Sequence, residues 1–402
     1  MPAMSPDPTR LESAMNHDRS PSTLPLAAPP EHAVTAGRKN DHIAINLQQN
    51  VTARERRTGF ERLHFVHVAL PEHDYDALDL STTFLGHRLA APILISSMTG
   101  GTEEGFTIIR RLAVAAQAHG CAMGVGSQRV AVENPDACRW FAIRQFAPTI
   151  PLFANLGAVQ LNYGFGIDEC RRAVEMIEAN ALILHLNPLQ EALQPEGNRD
   201  FSALLHKIEA VCAALDVPVV IKEVGGGISA RVARQLADAG VAALDVSGTG
   251  GTSWSAVEHH RARTPLARRL SETFTDWGIP TALSLRMARE GAPHLPMIAS
   301  GGLRTGLDAA KAIALGADLA GFAGPLLKAA AASEDDAHAT LAAIVEELRL
   351  ALFCTGCGAI ADLRSAEMVD DDGHPVSRIA PGRTICATEL NGAKSNAPVT
   401  PL

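Results

Sequence analysis

Lys222 ends an apolar run, Pro218-Val-Val-Ile-Lys-Glu223. Burying an ammonium in such a run is costly unless it has a partner or a task. Beside a ligand it can stabilise negative charge on a cofactor or an intermediate. Glu223 is the structural alternative as its partner, although neighbours along a strand point to opposite faces. His185 and Asn187 close another apolar run, and their alternation puts them on one side. Gln190 and Glu191 follow directly; Glu191 offers a hard oxygen ligand, and one carboxylate near phosphate makes Mg²⁺ the natural metal. Two glycine signals, Ile298-Ala-Ser-Gly-Gly-Leu-Arg-Thr-Gly306 and Gly321-Phe-Ala-Gly-Pro-Leu326, each follow a run. Glycine lets backbone N–H groups approach an anion, so the pair points to phosphate. A third loop, Asp245-Val-Ser-Gly-Thr-Gly-Gly-Thr-Ser-Trp254, is dense enough in Gly and hydroxyls to cradle a second anion or a cofactor edge. Arg38-Lys39-Asn40-Asp41-His42 reads as a solvated turn or as a basic lid over an anionic substrate.

Eight short apolar or small-residue runs carry these groups: Pro92–Ser97, Ala122–Ser127, Pro151–Asn155, Ala181–Asn187, Pro218–Glu223, Ala242–Ser247, Pro296–Ser300 and Asp318–Phe322. Continuous apolar character, rather than alternation, marks strands buried on both faces. A helix-compatible stretch follows each run. Successive starts lie 22 to 37 residues apart except for one gap of 54, which holds an insertion around 261–288. Eight such units predict a (β/α)8 TIM barrel with its chemistry on the loops after the strands. A doubly wound open sheet would gather polar residues at one switch point, whereas here they sit at every strand end. Residues 37–91 are expected to pack against the mouth or floor. The reading divides the chain into a proline-rich disordered extension (1–36), the barrel with its lid segment (37–363) and a loosely ordered tail (364–402).

Composition narrows the class. With 402 residues, 47% apolar and 20% charged, the chain can bury a sizeable core. A net charge of −9 and 4% aromatics argue against a nucleic-acid binder. The most apolar stretch, Ala312–Ala332, is broken by Asp318 and Lys328, so no membrane span is expected. Leu24–Ala28 is too short and proline-broken for a signal peptide. Seven cysteines without framework spacing fit a reducing cytoplasm, and the lone Cys354-x-x-Cys357 lacks the second half of a metal site.

Taken together, the set resembles the type 2, FMN-dependent isopentenyl-diphosphate isomerases over about residues 37–355. The matching pieces are Arg38-Lys39-x-x-His42, Ser97-Met-Thr-Gly-Gly101, Gly126-Ser-Gln-Arg129, Asn155-Leu-Gly157, His185-Leu-Asn187 with Gln190-Glu-Ala192, Lys222-Glu-Val-Gly225, Asp245-Val-Ser-Gly248, Gly250-Gly-Thr-Ser-Trp254 and Ala299-Ser-Gly-Gly302. Asn198 stands where an acidic residue is commoner. The resemblance implies FMN contacts at Ser97, Met98, Thr99, Ser127, Asn155, Lys222, Ser247, Thr252, Gly302, Leu303, Arg304, Ala323 and Gly324. It implies substrate contacts at Arg38, Lys39, Ser127, Gln128, Arg129, His185, Asn187 and Gln190, with Mg²⁺ on Glu191. Gln190, His185 and Lys222 are the implied catalytic groups. The implied reaction interconverts isopentenyl and dimethylallyl diphosphate, with reduced FMN as acid and base, NADPH as reductant, and a homo-oligomer of four or eight chains. The alternative on the same barrel is an FMN-dependent 2-hydroxy-acid oxidase. That chemistry needs a histidine base beside an arginine clamp near the seventh strand, and no His-x-x-Arg occurs there.

Overall fold

The computed structural model describes residues 31–376. In chain order, α1 (Glu31–Gln48) is followed by β1 (Leu63–Phe65), β2 (Thr82–Phe84) and β3 (His87–Leu89). Next come β4 (Ile93–Ile95), α2 (Glu103–His119), β5 (Ala122–Gly124), α3 (Arg129–Glu133), β6 (Leu152–Gly157) and α4 (Ile167–Met176). The middle of the chain gives β7 (Ala181–Leu186), α5 (Pro188–Leu193), α6 (Leu204–Ala214), β8 (Val219–Glu223), α7 (Ala230–Asp238) and β9 (Ala243–Asp245). Then follow α8 (Trp254–Arg261), α9 (Pro265–Thr273), α10 (Thr281–Gly291), β10 (Met297–Ala299) and α11 (Gly306–Ala314). Last are β11 (Leu319–Phe322), α12 (Gly324–Ala332), α13 (Glu334–Cys354) and β12 (Met368–Asp370).

Strands β4 to β11 close into one parallel barrel, and each of the eight predicted runs contributes one of them. Leu94, Ala122, Phe153, Ala181, Ile183, Val220, Ala243, Ile298 and Leu319 fill its interior. The β2–β3 hairpin plugs the floor with Phe84 and Leu89, the Phe84 ring lying 6.3 Å from that of Phe153. Outward-facing residues of the same strands join the larger core beneath the helices. Local chemistry sets the helix ends: Thr102 accepts from Gly105 N–H at the start of α2, and left-handed Gly120 closes it at φ 60°. Ser333 caps α13 above three acidic residues that complement the helix dipole. The expected insertion is α9 and the chain that returns to α10.

Two boundaries shift. α1 starts at Glu31, ahead of residue 37, while residues 1–30 lie outside the described chain. The expected loose tail is docked over its first part. β12 pairs antiparallel with β1, Leu63 opposite Asp370 and Phe65 opposite Met368, and Asp371 binds both Arg62 and His64. The turn that permits this is visible as Asp370 to Gly373, where the Asp370 carboxylate accepts from Asp372 and His374 N–H groups. Residues 377–402, the rest of that tail, are outside the described chain. No described helix is long and apolar enough to cross a membrane.

Candidate active site

The C-terminal strand ends open on a cavity of about 750 Å³, roofed by α1. Register places Gly157 beside His185, His185 beside Lys222 and Lys222 beside Asp245, so one row of side chains crosses the floor. Lys222 is buried and pairs with Asp245 at 3.0 Å, not with Glu223. Ser300 receives from Lys222 at 3.2 Å and donates to the other Asp245 oxygen at 2.6 Å. Glu223 folds back onto the turn that follows it instead. It accepts from the N–H groups of Val224, Gly225 and Gly226, while burial pushes its carboxyl up to about 7.

His185 Nδ1 lies 2.8 Å from the Asn155 carbonyl oxygen, which can only accept, so Nδ1 carries the hydrogen and Nε2 is left as an acceptor. Burial first, then the charges of Lys222 and Arg38, lower its pKa to about 4. The imidazole is therefore neutral at pH 7. On the same strand end, Asn187 donates to Gln190 at 3.1 Å and to Glu191 at 3.0 Å, and Glu191 also accepts from Asn198 N–H at 2.5 Å. The buried carbonyl oxygen of Asn187 has no partner, which leaves two hard oxygen donors side by side.

The phosphate-type loops differ from each other. The first N–H groups of α11 are already taken: Asp308 accepts from Arg304 and Thr305, and Glu347 from Gly306. α12 has no side-chain cap, and a Cβ added at Gly324 would meet nothing within 4 Å. That uncapped N-terminus, beside Gly302 and Leu303, can receive an anion. On the opposite wall, Lys39 donates to the carbonyls of Gly100 and Ser127 at 2.7 and 2.8 Å and lies over the Phe141 ring. Burial, then Arg38, lowers its pKa to about 7. A side chain at Gly101, φ +82°, would collide with that ammonium.

Every residue predicted for the site lines this cavity except Gln128, which requires correction. Its wholly buried amide donates to the Ala173 carbonyl at 2.8 Å and accepts from Asn155 N–H at 2.9 Å, beneath the floor. Its neighbours Ser127 and Arg129 face the cavity, and chain direction at that turn sends Gln128 the other way. Gln128→Ala is therefore expected to cost about 1–3 kcal/mol of stability. Denaturant titration beside steady-state kinetics would show this as a lower midpoint with substrate KM unchanged.

Sequence reasoning overlooked Gln194, Glu258 and the partner of Lys222. Gln194 lines the cavity and donates to Glu258 at 3.0 Å, and Glu258 lies 3.0 Å from His42 Nε2. The His42 ring stands edge-on to Trp254 at 5.0 Å. Trp254-x-x-x-Glu258 right after the Gly-rich loop was the available signal, since that spacing puts both on one helix face.

Six lysine and arginine side chains and a single carboxylate, Glu191, line the cavity among the described residues, although the whole chain carries −9. Such a lining suits a polyanionic guest. Residues 33–143 and 184–370 match the FMN-dependent dehydrogenase family. An isopentenyl-diphosphate delta-isomerase of Nostoc sp. is 55% identical over 83% of this chain and 95% of its own length. One from Synechococcus sp. is 56% identical over 81% and 94%, and one from Rickettsia rickettsii 53% over 82% and 96%. Among solved structures, mandelate oxidase with (S)-2-phenylpropionate superimposes with a TM-score of 0.56 at 20% identity, covering 84% of this chain and 97% of that one. That likeness concerns the fold alone. With a closed barrel, a basic cavity at its strand ends and relatives above half identity over most of its length, the chain belongs to the isopentenyl-diphosphate delta-isomerases of the FMN-dependent type.

Proposed function

We propose that the protein interconverts isopentenyl and dimethylallyl diphosphate without net redox change, in isoprenoid biosynthesis. One observation carries the mechanism. The cavity sets six lysine and arginine side chains against a lone carboxylate that is already held by two hydrogen bonds, and its His185 is neutral. Moving an alkene by one carbon needs a proton added at one end and another removed at the neighbouring position, and the lining offers no pair of carboxylates to do it. When bound, reduced FMN supplies a titratable ring nitrogen and an anionic face, the acid and base that the side chains lack.

The residues fit that group. Ser96 and Ser97 hydroxyls are buried without a partner, Gly324 leaves open space at the uncapped α12, and Lys222 is a fixed positive charge in the floor. Lys222 is the side chain placed to stabilise negative charge on a flavin ring. Asn155 and His185 are held to each other and orient one wall. Glu191, with the Asn187 carbonyl, would hold Mg²⁺ on the diphosphate, and Arg38, Lys39 and Arg129 would neutralise the rest. Gln190, fixed by Asn187, positions the substrate rather than carrying the proton. NADPH is proposed as the reductant that readies the flavin.

A cytoplasmic setting is proposed on the six unpaired cysteines among the described residues. A homo-oligomer of four or eight chains is proposed on the family likeness. The exposed Leu266, Leu270 and Trp277 of the insertion support it as apolar surface a second copy would cover.

The test is anaerobic incubation of the purified protein with isopentenyl diphosphate, Mg²⁺ and FMN. Product is expected with reduced flavin and not with oxidised flavin. A reduced flavin that leaves the substrate unchanged would refute the reading and move attention to the 2-hydroxy-acid oxidase alternative.

A further inference from the structure

We infer that Arg261, which does not line the cavity, is the positioning residue that locks α1 down as the roof of the site. Its guanidinium joins three separate parts of the chain. One nitrogen donates to Glu258 on α8 at 2.7 Å, another to Glu196 in the loop after α5 at 2.8 Å, and Nε lies 3.7 Å from Asp41 on α1. Each of these carboxylates, or its neighbour, holds α1 in turn. Glu258 faces His42 at 3.0 Å, and Glu196 lies 4.0 Å from Arg38. Gln194 completes the clasp by accepting from Arg38 at 3.3 Å while donating to Glu258 at 3.0 Å.

Positions 38, 41 and 42 are spaced i, i+3 and i+4, so a single face of α1 meets the cluster. Glu258 is 3% exposed, so removing the arginine would strip a buried carboxylate of its guanidinium partner and leave it only His42 and Gln194. The geometry also calls for arginine in particular. Only a planar fork reaches two carboxylates on different elements at once, whereas lysine offers a single point charge. α12 and the Gly301–Leu303 loop, on the far side of the cavity, contribute none of the clasp's own hydrogen bonds or ion pairs, so flavin binding should depend on it far less than diphosphate binding does.

The inference rests on the diphosphate binding under α1, and the experiment separates the two ideas. Arg261→Met and Arg261→Lys are compared with wild type in the full-length, FMN-loaded enzyme. Loss of uniform binding is expected to raise KM for isopentenyl diphosphate about tenfold in the Met variant, with kcat within about threefold and the FMN dissociation constant within about twofold. The Lys variant should fall between. Glu196→Gln, which removes the second anchor and spares Glu258, should shift KM in the same direction even if Arg261→Met fails to fold. Tryptic cleavage at Lys39, followed by mass spectrometry without any substrate, should be faster in each variant because α1 opens more often. Unchanged KM and unchanged cleavage, or substrate and FMN affinity falling together, would overturn the role of Arg261. A wild-type enzyme that fails to turn over isopentenyl diphosphate while Arg261→Met still speeds cleavage would overturn the functional reading and leave the clasp standing.

Discussion

Replacing Lys222 with methionine is expected to lower kcat for isomerisation by about 10²–10³, the range found when one preorganised donor is removed from a dry site. The side chain is 6% exposed, fixed at 3.0 Å by Asp245 and at 3.2 Å by Ser300, and stands in the floor row beside His185. Methionine keeps the volume and removes the charge. It also strands Asp245, which is fully buried, and breaking such a pair from one side costs about 3–5 kcal/mol. Two losses are therefore mixed in the single variant, and Lys222→Met/Asp245→Asn separates them. The double variant should regain thermal stability by calorimetry while kcat stays low. A kcat within threefold of wild type in the FMN-saturated single variant would remove Lys222 from the chemistry.

The second large effect concerns the metal. Glu191→Gln keeps an acceptor for Asn198 N–H but loses the anionic oxygen beside the unpartnered Asn187 carbonyl. Even outer-shell changes at metal sites cost 10–100-fold in affinity, so loss of the ligand charge should raise the Mg²⁺ concentration for half-maximal activity at least about 100-fold. The FMN spectrum and its binding constant should not move, because Glu191 sits on the β7 side of the cavity, away from α12. Chelator should abolish wild-type turnover and excess Mg²⁺ restore it. A variant with the wild-type Mg²⁺ curve would place the metal elsewhere.

The barrel was legible because its strands are buried on both faces and read as uninterrupted apolar runs, with polar groups stacked at every end. The site was legible for a related reason, since loops after buried strands can point only at the mouth. What remained hidden depends on the third dimension. In one dimension Glu223 is the only carboxylate next to Lys222, and only the register of β8 against β9 brings Asp245 to it. Gln128 lies between two cavity residues, and only the turn before α3 shows that its amide points beneath the floor. The Glu258 clasp joins residues some 216 positions apart in sequence, which no local pattern reports. Likewise β12 docks onto β1 across the whole barrel, so a short polar segment read as loose is paired.

The most direct test of the account is the number of dimethylallyl diphosphate molecules formed per NADPH oxidised, measured anaerobically with Mg²⁺ and FMN. An isomerase that uses reduced flavin as acid and base makes many products for each NADPH, since the reductant only readies the cofactor. One product per NADPH, or oxygen uptake that tracks turnover when air is admitted, would contradict it and return the barrel to oxidoreductase chemistry.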